Sequence, residues 1–298
     1  ITQLVRNAKL RYAHNIIHPS LNSLQIWKNL EAMGIRQNKS QVETVDIPLN
    51  TLNEHFTSFS LENNDLPSKQ DTIDELMSTP TPPRDKFFWS YITPDDVKKS
   101  ILHIKSKAQG VDNISITLLH KIIDIILPTV THIFNASIMT GTYPRLWKMA
   151  LVRPLPKTKL PTTPNDYRPI SILPCLSKAL EHIVHRQLTD YLYTYNLLDE
   201  HQSGFRKGFS TSTALLHVTE DIREAMDRSE LTALILLDFS KAFDTVDLDF
   251  LLIKLKILHL SENCLDWFGS YLRDRQQSVS IQNRSSSWRF MRSGVPQG

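Results

Sequence analysis

The feature that most constrains the fold of this chain is an apolar run that ends on an acid. Residues 231–237, "LTALILL", are followed at once by Asp238, and Asp244, Asp247 and Asp249 come soon after. The run is too short and too uniformly apolar for an amphipathic helix, and its length suits a strand buried on both faces. Such a strand needs neighbouring strands and covering helices, so the sequence predicts an α/β (α+β) protein with Asp238 at the edge of a sheet.

Composition restricts the broad class of protein. The chain has 298 residues, of which 41% are apolar and 22% charged, with a mean hydropathy of −0.26, as expected for a globular protein. No apolar run approaches the roughly 18 residues of a membrane span, so no membrane association is expected. The N-terminus lacks an initiator Met and an apolar signal core, which suggests a piece of a longer protein. Cys175 and Cys264 lie far apart, with no Cys or His at zinc spacing, so a reducing compartment is favoured.

The chain divides at a proline-rich stretch. Residues 1–86 show short helical patterns between polar segments and end in a linker, "STPTPPRDK", after which a compact region starts near Phe87. Thr93, Pro94 and Asp96 have the spacing of a capped helix start, which explains the Asp95–Asp96 pair better than catalysis does. A long helix is expected to stop at Gly141 with an interruption at Pro128. Further helices are expected over 177–198, 210–228, 247–258 and 262–273, with strands over 149–157 and around a turn at 283–286.

Charge is unevenly spread along the chain. Between Tyr143 and Lys178 there are seven cations and one anion, a net charge of +6 within a chain whose total is +3. This basic stretch is either a patch that attracts phosphates or an ordinary solvated face, and charge alone leaves both interpretations open.

Four separate segments together resemble one family. They are "NDYRPISILPCLSKALEHIV" (165–184), "QSGFRKGFSTSTALL" (202–216), "ILLDFSKAFDTVD" (235–247) and "SGVPQG" (293–298). In this order they resemble the reverse transcriptase domain of non-LTR (LINE-like) retrotransposons, and most of all its jockey-like branch. The resemblance implies the fingers and incomplete palm of a right-hand polymerase, with fingers and the start of the palm over 87–230 and a partial palm over 231–298.

The resemblance also implies an activity and its metal site. The family consists of RNA-directed DNA polymerases, which join deoxynucleotides by two-metal nucleotidyl transfer. Asp238 matches the catalytic, metal-binding aspartate, and the backbone carbonyl of Phe239 matches a second ligand. Two Mg²⁺ ions are implied for the intact enzyme, with Mn²⁺ as an alternative. Phe243 matches the bulky residue that excludes a ribose 2′-hydroxyl, although core packing alone would also explain an aromatic ring there.

Further residues match nucleotide and template contacts. Arg168 matches an arginine that contacts the incoming triphosphate, and Lys157 is expected to assist it, while a surface salt bridge remains the alternative for both. Gln297 matches the glutamine placed against the nucleotide or templating base.

A turn with two glycines is the candidate template site. The resemblance implies that Arg206 and Lys207 bind template or triphosphate phosphates, and that Gly204 and Gly208 allow close backbone approach.

The remaining expectations concern the acids and the extent of the chain. Asp244 is expected to form hydrogen bonds or a cap, and Asp247 and Asp249 to start a helix. The sequence stops before the family's hairpin with two adjacent aspartates, so this chain alone is expected to be inactive. The implied partners are an RNA template, a DNA primer or target and dNTPs. The alternative is a nucleic-acid-binding or interaction remnant that uses the basic stretch without catalysis.

Overall fold

The computed structural model describes residue 25 and residues 45–58, 68–78 and 84–297, and the residues from Ile47 onward form one compact unit. Apart from residue 25, the short helical pattern that the sequence shows over 21–35 lies outside the described residues, as does most of the proline-rich linker. The helices are α1 (Leu49–Thr57), α2 (Lys69–Ser78), α3 (Pro94–His103), α4 (Ile116–Thr140), α5 (Cys175–Thr194), α6 (Thr211–Asp227), α7 (Leu248–Ile257) and α8 (Glu262–Leu272). The strands are β1 (Met149–Pro156), β2 (Tyr167–Ile172), β3 (Gln276–Ile281), β4 (Arg284–Ser285) and β5 (Arg289–Phe290). The mixed α/β class is thus confirmed, while the domain boundaries predicted at 86 and 230 stay predictions.

The domain contains a small mixed sheet. Its order is β2-β1-β3-β4, with β5 also pairing with β3. Strands β1 and β2 form an antiparallel pair, whereas β1 and β3 run parallel and are joined through the helices α5 to α8. Strand β3 then turns back at Gln282–Asn283 into β4, slightly earlier than the turn predicted at 283–286.

Helix starts and ends follow the local signals in the sequence. Thr93 caps α3 through a capping box with Asp96, and Pro94 is the first residue of the helix, as predicted. Asp247 caps α7 by accepting hydrogen bonds from the Asp249 and Phe250 amides, also as predicted. The largest core cluster joins side chains of α3, α4, α5 and α8, and its fully buried members include Phe134, Leu180 and Trp267.

Helix α4 differs from the sequence prediction in two respects. It runs through Pro128 without the predicted break. As predicted, it ends at Gly141, whose φ of 63° is left-handed. Pro128 is exposed, while residues on either side of it, such as Ile123 and Val130, are buried in the same core. Packing on both sides of the proline therefore outweighs the lost backbone hydrogen bond. The 25-residue helix is also long and apolar enough to span a membrane, contrary to the sequence estimate, but nine of its residues are buried in the fold.

The predicted buried strand at 231–237 is wrong. These residues form no strand in the described part of the chain, and every one of them is exposed, including Leu237 at 91%. A strand is stable only when neighbouring strands pair with its backbone, and here β1 pairs directly with β3. Helix α6, which precedes the segment, forms as predicted, but none of its residues is buried in the described part of the chain.

Candidate nucleotide site

The loop after the apolar segment is held by the last residues of the chain. The Val295 amide donates to the Phe243 carbonyl at 2.9 Å, and the Gly294 amide donates to the Val246 carbonyl at 2.8 Å. The Ser293 hydroxyl donates to the Asp244 carbonyl at 3.1 Å. Residues 293–297 therefore lie alongside residues 243–246, although the two segments are far apart in sequence.

Gly294 is required for this close approach. Its φ is 78°, and a Cβ atom at this position would lie 2.7 Å from the Asp244 carbonyl oxygen and 2.8 Å from that of Phe243. Any other residue would meet both an unfavourable backbone conformation and a clash with backbone that cannot move aside. In the segment "SGVPQG" this close backbone approach occurs at Gly294, while Gly298 lies outside the described residues.

Asp244 and Gln297 link this loop to the sheet. The Gln297 side-chain amide donates to the Asp244 carboxylate at 2.8 Å, and the Gln297 carbonyl accepts a hydrogen bond from the Ser171 amide of β2. Burial raises the pKa of Asp244, against smaller lowering effects of Gln297 and Lys241. Asp244 therefore has the hydrogen-bonding role expected from the sequence, and it joins three of the motif segments.

Two lysines lie near Asp244, and His55 lies beside one of them. The Lys241 Nζ atom lies 3.5 Å from the Nε2 atom of His55 on α1. The Lys157 Nζ atom donates to the Asn165 carbonyl at 2.7 Å, and its charge affects both other groups. Burial is the main reason that the pKa values of Lys241 and His55 are lowered, and the neighbouring positive charges lower them further.

Sequence reasoning missed two of these three basic residues. His55 belongs to a short helix in the region taken for an extension, and nothing in its local sequence marks it. Lys241 lies inside the motif "DFSKAFD", so the motif could have drawn attention to it. Their proximity appears only in the folded chain.

Asp238 and Phe239 lie apart from this cluster of contacts. Both follow the extended segment 231–237 rather than a paired strand, and Phe239 is 84% exposed. In the described part of the chain, Asp238 takes part in no hydrogen bond or ion pair. Nor do the described residues contain a group of three or more His, Cys, Asp or Glu residues that could hold a metal ion.

The glycine-containing turn at 202–209 touches the same loop through aromatic rings. Phe205, with a φ of 59°, places its ring edge-on to that of Phe243, with 5.8 Å between the centroids. Arg206 donates to the carbonyls of Asp199 and Gln202, at 2.7 and 3.2 Å, and its guanidinium lies 4.4 Å from the Phe209 ring. The structure thus uses Arg206 to hold the turn together.

The other residues of the turn are more open. Lys207 is exposed, and a Cβ atom added at Gly204 or Gly208 would meet nothing within 4 Å. Only Gly208 has a left-handed φ, of 87°, so of the two glycines it is the one that the backbone conformation requires.

Arg168 lies on the opposite side of the β1–β2 hairpin. It pairs with Leu155, and strand alternation places it on the same face as Arg153 and Ile170, whereas Ser171 points to the other face. A cavity of about 540 Å³ opens beside the Arg153 face, and Ile170 and Lys178 are among its lining residues. The structure therefore does not bring Arg168 to the side of the hairpin on which Asp244 lies.

Comparison with known proteins identifies the family. Residues 155–298 match the family model described as reverse transcriptase (RNA-dependent DNA polymerase). These residues belong to the reverse transcriptase family. The match begins inside β1 and includes all four motif segments.

Curated relatives of this chain extend the similarity toward the N-terminus. The probable RNA-directed DNA polymerase from transposon BS of Drosophila melanogaster is 33% identical over 87% of the chain and 28% of its own length. The RNA-directed DNA polymerase from mobile element jockey of the same species is 29% identical over the same shares. The probable polymerase from transposon X-element is 33% identical over 57% of the chain and 19% of its own length. The chain thus spans less than a third of the length of these relatives.

Proposed function

We propose that this chain is part of an RNA-directed DNA polymerase of a non-LTR retrotransposon, which extends a DNA primer with dNTPs on an RNA template. The main support is that contacts connect all four motif segments in series. Gln297 is hydrogen-bonded to both Ser171 and Asp244, and the ring of Phe205 contacts that of Phe243, in the same segment as Asp244. Motifs that serve one reaction are expected to meet in one place, as they do here.

Asp238 is proposed as a ligand for Mg²⁺, together with the carbonyl oxygen of Phe239. Both donors are hard oxygen atoms, which suit Mg²⁺ or Mn²⁺, and the exposed Asp238 carboxylate is available for them. Two bound ions would supply activation of the primer hydroxyl and neutralise charge on the leaving phosphate. A single carboxylate cannot hold two ions, so we propose that other acids complete the site and that this chain alone does not polymerise DNA.

Phe243 and Gln297 are proposed to position the nucleotide. Phe243 is 43% exposed and is supported at its edge by Phe205, so its ring presents a firm surface to a deoxyribose. The hydrogen bond to Asp244 fixes the Gln297 amide group and leaves its Oε1 atom for a base. Lys157 is proposed to bind phosphate here, while Arg168, Arg206 and Lys207 are proposed to contact phosphates of the triphosphate or the template.

A primer-extension assay tests this function. Residues 1–298 and, if an open frame continues past the Gly298 codon, a longer polypeptide would be given an RNA template, a DNA primer, dNTPs and Mg²⁺. We expect extension only by the longer polypeptide, and its loss in the Asp238→Asn variant. Template-dependent extension by 1–298 would overturn the proposed inactivity. Undiminished extension by Asp238→Asn would overturn the assignment of the metal ligand.

One observation favours nucleic-acid binding without catalysis as a second candidate. The β1–β2 hairpin displays Arg153 and Arg168 on one exposed face, beside the cavity that Lys178 helps to line. Binding of labelled RNA to 1–298 at increasing salt concentration tests it, since phosphate contacts make affinity fall steeply with salt. Measurable RNA binding that Arg153→Ala weakens, with no extension by any longer polypeptide, would favour this candidate over the polymerase.

A further inference from the structure

Two histidine rings lie face to face between helices α3 and α5. His103 is the last residue of α3, and His182 lies within α5. The ring centroids are 4.8 Å apart and the ring planes differ by only 11°. His103 is exposed and His182 is partly buried, so both rings can exchange protons with the solvent. Because imidazole ordinarily changes its charge between about pH 5 and pH 8, the charge on this contact depends on pH.

A hydroxyl group beside the stack fixes the proton on one nitrogen of His182. Ser100 Oγ donates its hydrogen to the Ala179 carbonyl at 2.7 Å, so it can only accept from the His182 Nδ1 atom, which lies 3.2 Å away. The neutral ring therefore carries its proton on Nδ1 and an unshared electron pair on Nε2. A second proton binds at Nε2, which makes the ring positive while the hydrogen bond to Ser100 remains.

The groups whose charge acts on the His182 ring are all basic. Burial is the largest cause that lowers the pKa of His182, and three neighbouring bases lower it further: His103, Arg186 and His185. The Asp96 carboxylate, at the start of α3, is already paired with Arg186. Two imidazolium rings in this stack would therefore repel each other without a nearby carboxylate to offset the repulsion, among the residues that the structure describes.

The last turn of α3 is held from two sides. On the side of α4, the His120 Nε2 atom donates to the Ile101 carbonyl at 3.1 Å, and a charged imidazole makes the same hydrogen bond. On the side of α5, the turn is held by the stacked rings and by the hydrogen bond from Ser100 to Ala179. Of these contacts, the stack is the one that protonation weakens.

The segment that follows α3 forms one wall of the cavity beside the β1–β2 hairpin. Ser106 and Ala108 are among the lining residues. The backbone is attached again at Gly110, where a Cβ atom would lie only 2.5 Å from the Pro174 nitrogen. Residues 104–109 therefore span the distance between the end of α3 and a second fixed point, and loss of the first attachment would free this wall.

We propose that His103 and His182 form a pH-sensitive latch, which holds the end of α3 against α5 while the rings are neutral and releases it when both are protonated. Because the pKa of His182 is lowered in the folded chain, the latch contributes its full stability above the ordinary pKa of a histidine and loses it as pH falls toward the lowered value. Release opens the cavity wall that Ser106 and Ala108 form. The latch is independent of the proposed function, since it involves neither the metal ligands nor the nucleotide contacts.

Hydrogen exchange of the 298-residue chain, followed by mass spectrometry at about pH 5 and about pH 7.5 and corrected for the intrinsic effect of pH, tests the latch. We expect the amides of residues 101–108 to exchange about fivefold faster in acid, the factor for two unit charges that repel across about 4 Å of water. Residues 130–138, in the core part of α4, should show no such change. His103→Phe keeps a flat ring but takes no proton, so its exchange should be equal at both pH values. His132→Phe, at an exposed position on α4, is the matched control and should behave as the unchanged chain does.

NMR titration of the His182 ring gives a second measurement. Its pKa is expected to rise in His103→Phe, because one repelling base has been removed. An unchanged pKa overturns the inference, and so does equal exchange of residues 101–108 at the two pH values in the unchanged chain. Faster exchange in acid that persists in His103→Phe also overturns it, since another group would then be responsible. An equal acceleration in residues 130–138 overturns it as well, because the whole domain would then be loosening.

Discussion

Replacing Asn53 by alanine is expected to lower the free energy of unfolding by about 3 kcal/mol. The side chain is fully buried and makes three hydrogen bonds, two with Gln277 and one with the Ser287 carbonyl. Alanine would leave the buried Gln277 amide group without its partner, and each unpaired buried group costs about 1–3 kcal/mol. For a domain of this size the loss corresponds to a fall in melting temperature of roughly 6–12 °C.

The matched control is Asn50→Ala, one turn earlier on α1. The Asn50 Oδ1 atom accepts hydrogen bonds from the Ser287 amide and hydroxyl, at 2.9 and 3.1 Å, but these contacts are exposed and water can replace them. We therefore expect a loss of less than about 1 kcal/mol. Urea unfolding followed by circular dichroism gives both values. If Asn53→Ala costs no more than Asn50→Ala, α1 is only loosely attached and the reasoning is refuted.

Three further changes test other parts of the structure. Gly294→Ala is expected to lower the free energy of urea unfolding by about 2 kcal/mol or more, and Gly208→Ala, which shares the left-handed φ but has open space around it, by about 1 kcal/mol. Equal losses would contradict the close approach of the backbones at Gly294. Leu236→Lys is expected to change the free energy of unfolding by less than about 0.5 kcal/mol and to reduce aggregation, measured by light scattering. The buried Leu180→Ala is the control, with an expected loss of about 2–5 kcal/mol; an equal loss in Leu236→Lys would show that residues 231–237 are buried after all. Burial raises the pKa of Glu181, so the melting temperature should fall as pH rises from the ordinary pKa of a glutamate toward the raised one. This fall should disappear in Glu181→Gln, and its persistence there would exclude Glu181 as the cause.

The elements that the sequence predicted well are those whose causes are local. The Thr93 capping box, the Asp247 cap and the stop at Gly141 depend only on residues within a few positions, and all three are present. The predicted strand at 149–157 also formed, because its alternation of buried and exposed residues matches a sheet with one covered face.

The predictions that failed depended on distant partners. An apolar run such as 231–237 reports that its residues favour burial but says nothing about which strands are available to pair with it. The continuation of α4 through Pro128 depended likewise on core residues from α3 and α5, which no local rule includes. Much of the candidate site could be predicted because the motifs mark the residues themselves, whereas the contact between His55 and Lys241 is a product of the tertiary fold.

The same distinction bears on the proposal that the glycine-containing turn binds phosphate. Its sequence points equally to Arg206 and Lys207, because both are cations between two glycines. In the fold, the Arg206 guanidinium donates two hydrogen bonds to backbone carbonyls and lies over the Phe209 ring. Binding a phosphate through the same N–H groups would break hydrogen bonds that shape the turn. Lys207 is exposed and loses nothing of this kind when it binds an anion. Since only the difference between the bound and free states contributes to affinity, we expect Lys207 to be the better phosphate ligand of the two if the turn binds phosphate, with Arg206 holding the turn in place.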